Sequence, residues 1–293
     1  MTAESISRPR RSILFVSALA NGPLEGAIKS GVDVICVDLE DAVAPGRKAE
    51  GRVAAQTALQ EHHRDAEVQI AVRINSLRSR DGITDILACL ELRRSRVGAL
   101  VLPKVESGDE VRWAGSLLDE ANSHLELYVI VETNDGLESC REIAKSHWRV
   151  KALFFGGFDL STALGSTMAW EPLLYARSRV VHAAASAGIE ALDSPFPDVD
   201  NLDGLRVSAE QAKSLGMVGK AAKHAAQIPI ITEIFTPQSA EIERARRILE
   251  LFDTDPNKPL VFEGKLIELP TIKRLRRIVE CGLGKNVLNN SKT

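Results

Sequence analysis

Residues 34–45 read VICVDLEDAVAP, and this stretch sets the class of fold. It begins with the apolar residues of a buried strand, and then Asp38, Glu40 and Asp41 place three carboxylates within four positions. Carboxylates held close together raise one another's pKa, so a fold that gathers them supplies a cation or a proton. The pattern predicts a buried strand that ends in a charged site.

Apolar runs of this kind recur and predict eight strands separated by helices. The predicted strands cover residues 11–17, 32–40, 68–75, 97–105, 125–132, 150–159, 188–196 and 216–224. The predicted helices include residues 47–61, 106–121, 135–146, 170–187 and 201–214. Strands that alternate with amphipathic helices indicate a parallel sheet. Eight such units predict an α/β fold of the (β/α)8 TIM-barrel type, whose usual size is about 250 residues.

A doubly wound open sheet is the alternative architecture. Its nucleotide-binding versions need a glycine-rich phosphate loop, and the sequence contains neither GxGxxG after the first predicted strand nor GxxxxGK[ST]. We therefore prefer the barrel and assign residues 10–232 to it. Residues 233–285 are predicted to form a C-terminal helical segment of the same domain, a lid or oligomerisation arm, because no Pro-, Gly- or Ser-rich linker precedes them.

Composition points to a small partner molecule. Lys and Arg number 37 against 40 Asp and Glu, and this balance gives no electrostatic footprint for nucleic acid or an anionic membrane. No apolar stretch approaches the roughly 20 residues needed to span a bilayer, and no apolar signal core follows the polar N-terminus. The four cysteines are far apart, which disfavours a zinc site and a disulfide framework. We expect a cytoplasmic protein.

Polar residues that end the predicted strands are the candidates for an active site, because a barrel places its site at the carboxyl ends of its strands. These candidates are Asp38, Glu40, Asp41, Arg73, Asn75, Lys104, Glu106, Glu132, Asp159 and Asp193. A single acidic residue in such a place is more often a helix cap or a solvated loop residue. Carboxylates from strands two, five and six would nevertheless converge on one mouth, and oxygen-rich sites of this kind suit Mg²⁺ or Mn²⁺ rather than zinc.

An ordered set of motifs over residues 10–280 resembles the citrate lyase beta subunit (CitE-like) group of the HpcH/HpaI aldolase superfamily. The motifs include RRSILFV, GVDVICVDLEDAVAP, AVRIN, LVLPKVES, VIVETNDGL, FFGGFDLSTALG and FTPQSAEIERARRIL. The resemblance implies a Mg²⁺-dependent barrel that cleaves or forms a carbon–carbon bond. The group includes malyl-CoA and citramalyl-CoA lyases.

The resemblance also implies roles for the residues at the carboxyl ends of the strands. Glu132 and Asp159 would hold the metal, Arg73 would polarise the substrate carbonyl or hold its carboxylate, and Glu40 and Asp41 would order metal-bound waters. In this chemistry Mg²⁺ chelates a 2-oxo acid and stabilises the enolate that forms when the adjacent carbon–carbon bond breaks.

Four further residues complete the predicted site. Gly156 and Gly157 would let the backbone approach the bound acid closely, and Asp193, which ends the seventh predicted strand, is a further candidate for substrate binding. Glu268 stands in GKLIELP, where lyase relatives carry an Asp in a lid motif. It is a candidate catalytic carboxylate, although a charged residue before a proline turn explains it equally well.

The loop after the first strand departs from relatives that recognise coenzyme A. It contains no Arg or Lys between Ile13 and Ile28, and Gly26 occupies the position where a Lys is expected. The leading prediction is therefore a carbon–carbon lyase or aldolase acting on a short hydroxy- or oxo-dicarboxylic acid. A malyl-CoA or citramalyl-CoA-type lyase or thioesterase and a non-catalytic CitE-like subunit are the alternatives. We expect a homo-oligomer, a trimer or hexamer, that binds a small acid or its CoA thioester.

Overall fold

Eight parallel strands close into a barrel, which confirms the predicted fold class. The structure is a computed structural model that describes residues 9–279 apart from 21–22, 62–67, 93–96, 256–257, 270, 273 and 277. The barrel strands are β1 (Ser12–Ser17), β2 (Val34–Asp38), β3 (Gln69–Arg73), β4 (Val97–Leu102), β5 (Glu126–Val131), β6 (Val150–Phe155), β7 (Glu190–Asp193) and β8 (Gly219–Ala222). The barrel closes where β1 pairs with β8 in parallel, with Ile13 opposite Ala221.

The barrel interior is filled by every second residue of its strands. The cluster of buried side chains contains Ile13, Val34, Cys36, Ala71, Ala99, Val101, Tyr128, Ile130, Ala152, Phe154, Leu192 and Ala221. Successive side chains of a strand point to opposite faces, so the residues between these point outward to the helices. Both faces of the strands are therefore covered, which explains their continuous apolar sequence.

Helices alternate with the strands along the chain and continue after the last barrel strand. They are α1 (Pro23–Lys29), α2 (Lys48–Glu61), α3 (Arg80–Leu90), α4 (Gly108–Glu120), α5 (Asn134–Glu138), α6 (Cys140–Lys145), α7 (Gly157–Leu164), α8 (Trp170–Ala187), α9 (Leu202–Leu215), α10 (Ile228–Phe235) and α11 (Ser239–Thr254). None of the helices within the described ranges is long and apolar enough to cross a membrane.

The apolar pattern misplaced the boundary between the sixth strand and the helix that follows it. The sequence predicted strand 150–159, but β6 ends at Phe155 and α7 begins at Gly157. The residues FFGGFDL remain apolar across the junction because both elements are buried there, so periodicity alone does not mark the change. This junction carries Asp159 in the first turn of α7.

The amino-terminal end of the barrel is closed by a polar plug around Arg10. Its guanidinium donates to Tyr128 Oη at 2.6 Å, to Glu190 Oε2 at 2.8 Å and to Glu126 Oε2 at 2.7 Å. Gln69 Nε2 donates to the same Tyr128 hydroxyl at 2.8 Å. The plug fills the amino-terminal end of the barrel, and the predicted active-site side chains that follow the strands lie at the opposite, carboxyl end.

The chain divides into two compact units, the barrel unit Arg10–Glu233 and a second unit that contains Pro9 and the described residues from Ile234 onward. Within the second unit, α11 packs with a hairpin of β9 (Leu260–Phe262) and β10 (Lys265–Ile267) around a core that includes Ala245 and Ile248. The hairpin turns at Glu263 and Gly264, both with positive φ, as a two-residue loop of type I′ requires.

Candidate active site

Four of the predicted site residues lie together because each stands two positions after an inward-facing residue of its strand. Asp38 follows Cys36 by two positions, Arg73 follows Ala71, Glu132 follows Ile130, and Gly156 follows Phe154. Since side chains alternate along a strand, all four positions face the barrel axis at its carboxyl end. Strands β2, β3, β5 and β6 thus meet at one mouth.

Arg73 is the cation at the centre of this mouth. Its Nε donates to Asp38 Oδ1 at 2.8 Å and its Nη2 to Asp38 Oδ2 at 2.5 Å. Its Nη1 lies 2.8 Å from Glu40 Oε2 and 3.2 Å from Asp41 Oδ2. Burial disfavours the charge of Arg73, but the three carboxylates outweigh it and raise the pKa of the guanidinium above its ordinary value.

Lys104, which is among the candidates at the predicted strand ends, is a second cation in the same cluster. Its Nζ lies 2.6 Å from Glu40 Oε1 and 3.6 Å from Asp41 Oδ1. Its φ of 53° is unusual for a residue with a side chain, and its backbone N–H donates to Glu132 Oε1 at 2.8 Å. Side chains of the protein therefore balance the carboxylates after β2, a role that the sequence pattern assigned to a metal.

The two carboxylates of this group respond differently to their surroundings. Burial raises the pKa of Glu40, against the influence of Arg73 and Lys104. Burial also acts on Asp41, but there Arg73 and Lys104 prevail and lower the pKa of the carboxyl. Glu40 Oε2 forms an ion pair with Arg73 outside hydrogen-bonding geometry and has no hydrogen-bond partner within the described ranges. Glu40 is thus the carboxylate of this pair that more readily holds a proton.

Glu132 and Asp159 are the predicted metal ligands, and their surroundings fit a hard divalent cation. Burial raises the pKa of Glu132 well above 4.5, and the charges of Glu40 and Asp159 raise it further. The backbone N–H of Lys104 donates to Glu132 Oε1 at 2.8 Å, and this hydrogen bond holds the carboxylate in place. No group of three or more His, Cys, Asp or Glu side chains is arranged to hold a metal in the described part of the chain. Magnesium needs only one or two carboxylates and keeps several waters, so this donor pair suits Mg²⁺ and not zinc.

Gly156 and Gly157 are required by close packing at this mouth. A Cβ on Gly156 would lie 2.3 Å from Glu132 Cβ and 2.8 Å from Glu132 Oε2. A Cβ on Gly157 would lie 2.9 Å from Phe155 Cε1 and 3.0 Å from Ser194 Oγ. Any side chain at Gly156 would therefore displace the carboxylate of Glu132. The predicted contact of these glycines with substrate remains a prediction.

Asp193 lies in a different place from the other candidates. Leu192 faces the barrel interior, so Asp193 points outward, where it is fully buried. Its carboxylate pairs with the Lys220 ammonium and accepts a hydrogen bond from Arg177 Nε at 3.1 Å. Sequence reasoning missed Ser194, the next residue, which is 2% exposed and whose Oγ would lie 3.0 Å from a Cβ on Gly157.

Glu268 and the loop after β1 complete the survey of the predicted site residues. Glu268 belongs to the second unit, where it is exposed just after β10, and its carbonyl accepts a hydrogen bond from the N–H of Thr271 at 2.9 Å. Its catalytic role remains a prediction. In α1, the one nearby basic side chain, Lys29, pairs with Glu25 at 3.1 Å, and the space around Gly26 is open.

Comparison with known proteins identifies relatives along most of the chain. The model of the family "HpcH/HpaI aldolase/citrate lyase" matches residues 11–225. An L-malyl-CoA/beta-methylmalyl-CoA lyase of Cereibacter sphaeroides is 30% identical over 93% of this chain and 94% of that protein. The crystal structure of RipC from Yersinia pestis is 36% identical, with a TM-score of 0.68 over 82% of this chain and all of that one. A Mycobacterium tuberculosis CitE structure with magnesium, acetoacetate and coenzyme A is 26% identical, with a TM-score of 0.74 over 94% of this chain and 99% of that one.

Proposed function

This chain belongs to the HpcH/HpaI aldolase/citrate lyase family, and from that premise we propose that it is a Mg²⁺-dependent carbon–carbon lyase for a short hydroxy- or oxo-dicarboxylic acid. The observation that carries the proposal is the position of Glu132 at the same mouth as Arg73, with the charge of Asp159 acting on it. Relatives named as lyases and a CitE structure with magnesium support the same class of reaction.

The reaction moves one proton and one electron pair. In the cleavage direction the substrate hydroxyl loses its proton to a base, its carbon becomes a carbonyl, and the electron pair of the broken carbon–carbon bond passes to the other fragment as an enolate. That enolate then takes up a proton. Bound Mg²⁺ would supply Lewis-acid stabilisation of the developing negative charge.

The residues of the chain prepare the mouth for this chemistry. Arg73 presents a planar guanidinium whose position is fixed by two contacts with Asp38, so it is oriented to receive an anionic substrate group. Glu40 and Glu132 have raised pKa values, which suits a carboxylate that accepts or holds a proton near neutral pH. The backbone N–H of Lys104 holds Glu132 in place.

A CoA-thioester lyase is the second candidate, because the Cereibacter sphaeroides relative carries such a substrate in its name. The absence of Arg and Lys from residues 14–27 favours the free acid, since CoA phosphates are normally bound by basic side chains or helix N-termini.

We also propose that the protein is cytoplasmic and forms a homo-oligomer. Val261 and Leu266 are cross-strand partners in the hairpin and are 61% and 60% exposed, which supports an oligomer contact in the second unit.

One experiment tests the proposal and separates the two candidates. The purified protein is incubated with 4-hydroxy-2-oxo acids, malate analogues and their CoA esters, with Mg²⁺ or with EDTA, and the release of pyruvate, oxaloacetate, glyoxylate and acetyl-CoA is measured. We expect Mg²⁺-dependent cleavage of a free acid. Cleavage restricted to CoA esters would establish the second candidate, and no cleavage of any compound would refute both.

A further inference from the structure

A cavity lies on the outer side of the barrel wall, beside the carboxyl end of β7. It has a volume of about 340 Å³ and is lined by residues of β8, α8 and α9 and of the segment that follows β7. Lys220, which lines it, precedes the inward-facing Ala221 and therefore points outward, as Asp193 does. The alternation of the strands thus separates this cavity from the side chains of the candidate active site.

Two buried cations line the cavity and share one buried carboxylate. Arg177 and Lys220 are 3% and 1% exposed, and both line the cavity. Asp193 accepts from Arg177 Nε at one oxygen and pairs with Lys220 at the other. Arg177 Nη1 is buried without a hydrogen-bond partner among the residues that the structure describes. A buried donor without a partner is costly, so this group calls for an acceptor.

The guanidinium of Arg177 is held rigidly. The ring of Phe155 lies 4.5 Å and the ring of Trp170 lies 4.7 Å from its central carbon, and Asp193 fixes one edge. A donor group that is already ordered loses little entropy when a ligand binds. Burial lowers the pKa of Lys220, with Asp193 opposing, and a bound anion would favour its charged form.

The rest of the cavity is largely apolar. Its lining includes Met168, Pro195, Phe196 and Val207, and Val207 is 54% exposed at the rim. Sites for small molecules combine apolar walls with a few convergent polar groups and start at about 300 Å³. The combination of a cationic base and apolar walls matches a small acid with a hydrocarbon tail.

We propose that this cavity is a binding site for a small carboxylate with a short apolar tail, held by Arg177 and Lys220 independently of Mg²⁺. The carboxylate accepts hydrogen bonds from the two cations, and its tail lies against Phe196 and Val207. The site is separate from the lyase centre, so its occupant differs from the substrate in needing no metal.

Calorimetry on the full chain in EDTA tests the proposal. We expect butyrate to bind with a Kd on the order of 1 mM, or about −4 kcal/mol, and neutral butyramide to bind at least about tenfold more weakly because it lacks the charge that the two cations recognise. Inorganic phosphate, an anion without an apolar tail, is expected to bind more weakly than butyrate. Equal affinities for butyrate and butyramide would overturn the proposal, as would preferential binding of phosphate.

Variants locate the binding. Val207→Trp narrows the rim without touching the buried charges, and we expect it to weaken butyrate binding at least about tenfold, a loss of about 1.4 kcal/mol. The matched control is Val53→Trp, at a residue of α2 that is 63% exposed and is not part of the cavity lining. Arg177→Met should abolish binding if the variant folds, and Val207→Trp decides the question if it does not.

Glu132→Gln distinguishes this site from the lyase centre. Butyrate affinity in EDTA should be unchanged in this variant, because Glu132 faces the barrel interior. A loss of butyrate binding in Glu132→Gln, or unchanged binding in Val207→Trp, would refute the separate site. A failure of the lyase assay leaves this measurement unaffected, so the two proposals stand or fall separately.

Discussion

Replacing Arg73 with lysine keeps a positive charge at the mouth but removes the planar two-point contact with Asp38. The wild-type guanidinium donates to both Asp38 oxygens, at 2.8 and 2.5 Å, while a third nitrogen faces Glu40 and Asp41. An ammonium group cannot reproduce this geometry and keeps only part of these contacts.

The loss can be estimated from the contacts removed. A hydrogen bond to a charged group contributes about 1.5–3 kcal/mol, and breaking a buried pair costs about 3–5 kcal/mol. Because Arg73→Lys retains its charge, we expect a loss of about 3 kcal/mol in the free energy of unfolding. We expect lyase turnover to fall by about 100-fold or more, the scale observed when one preorganised transition-state donor is removed.

Arg52→Lys is the matched control. Arg52 Nε donates to the fully buried Asp85 at 2.7 Å, and the side chains of Arg52 and Arg73 are 13% and 11% exposed. Urea denaturation should show similar losses of stability in both variants, whereas turnover at saturating Mg²⁺, measured below the onset of unfolding, should collapse only in Arg73→Lys. Near wild-type turnover in Arg73→Lys, or an equal loss in Arg52→Lys, would show that Arg73 has only a structural role.

Three further variants test the carboxylates and the glycine at the mouth. Glu132→Gln should weaken Mg²⁺ binding at least about tenfold in calorimetry, since it removes an anionic oxygen ligand, and Asp159→Asn should do the same; full affinity in both variants would refute the ligand assignment. Because the pKa of Glu132 is raised in the folded state, wild-type stability without metal should decline as pH rises from below 4.5 through that raised pKa. In urea denaturation at pH 5 and pH 8, the free energy of unfolding should fall less between the two pH values in Glu132→Gln than in the wild type. An equal fall in both proteins would contradict the raised pKa of Glu132. Gly156→Ala should destabilise the protein by about 1–3 kcal/mol through overpacking and impair Mg²⁺ binding, whereas Gly46→Ala, in open space, should change neither measurement.

The sequence alone determined the barrel, its eight strands and the family, because these depend on patterns that are local or repeated along the chain. Buried parallel strands need continuous apolar residues, and the residue that ends such a run lies at the carboxyl end of the barrel whichever strands it pairs with. The run that ends at Asp38 and the VRIN motif at Arg73 therefore indicated the charged end of the barrel before any contact was known.

Only the tertiary structure decided which charges meet. Lys104 reaches Glu40 across the mouth, and its backbone N–H reaches Glu132, because β4 lies between β3 and β5 in the closed barrel. A difference of one residue separates the inward-facing Leu192 from Asp193, which turns outward to Lys220 and Arg177. Strand alternation makes that difference decisive, since neighbouring residues face opposite sides of the wall, and the charge partners of Asp193 lie 16 and 27 residues away along the chain.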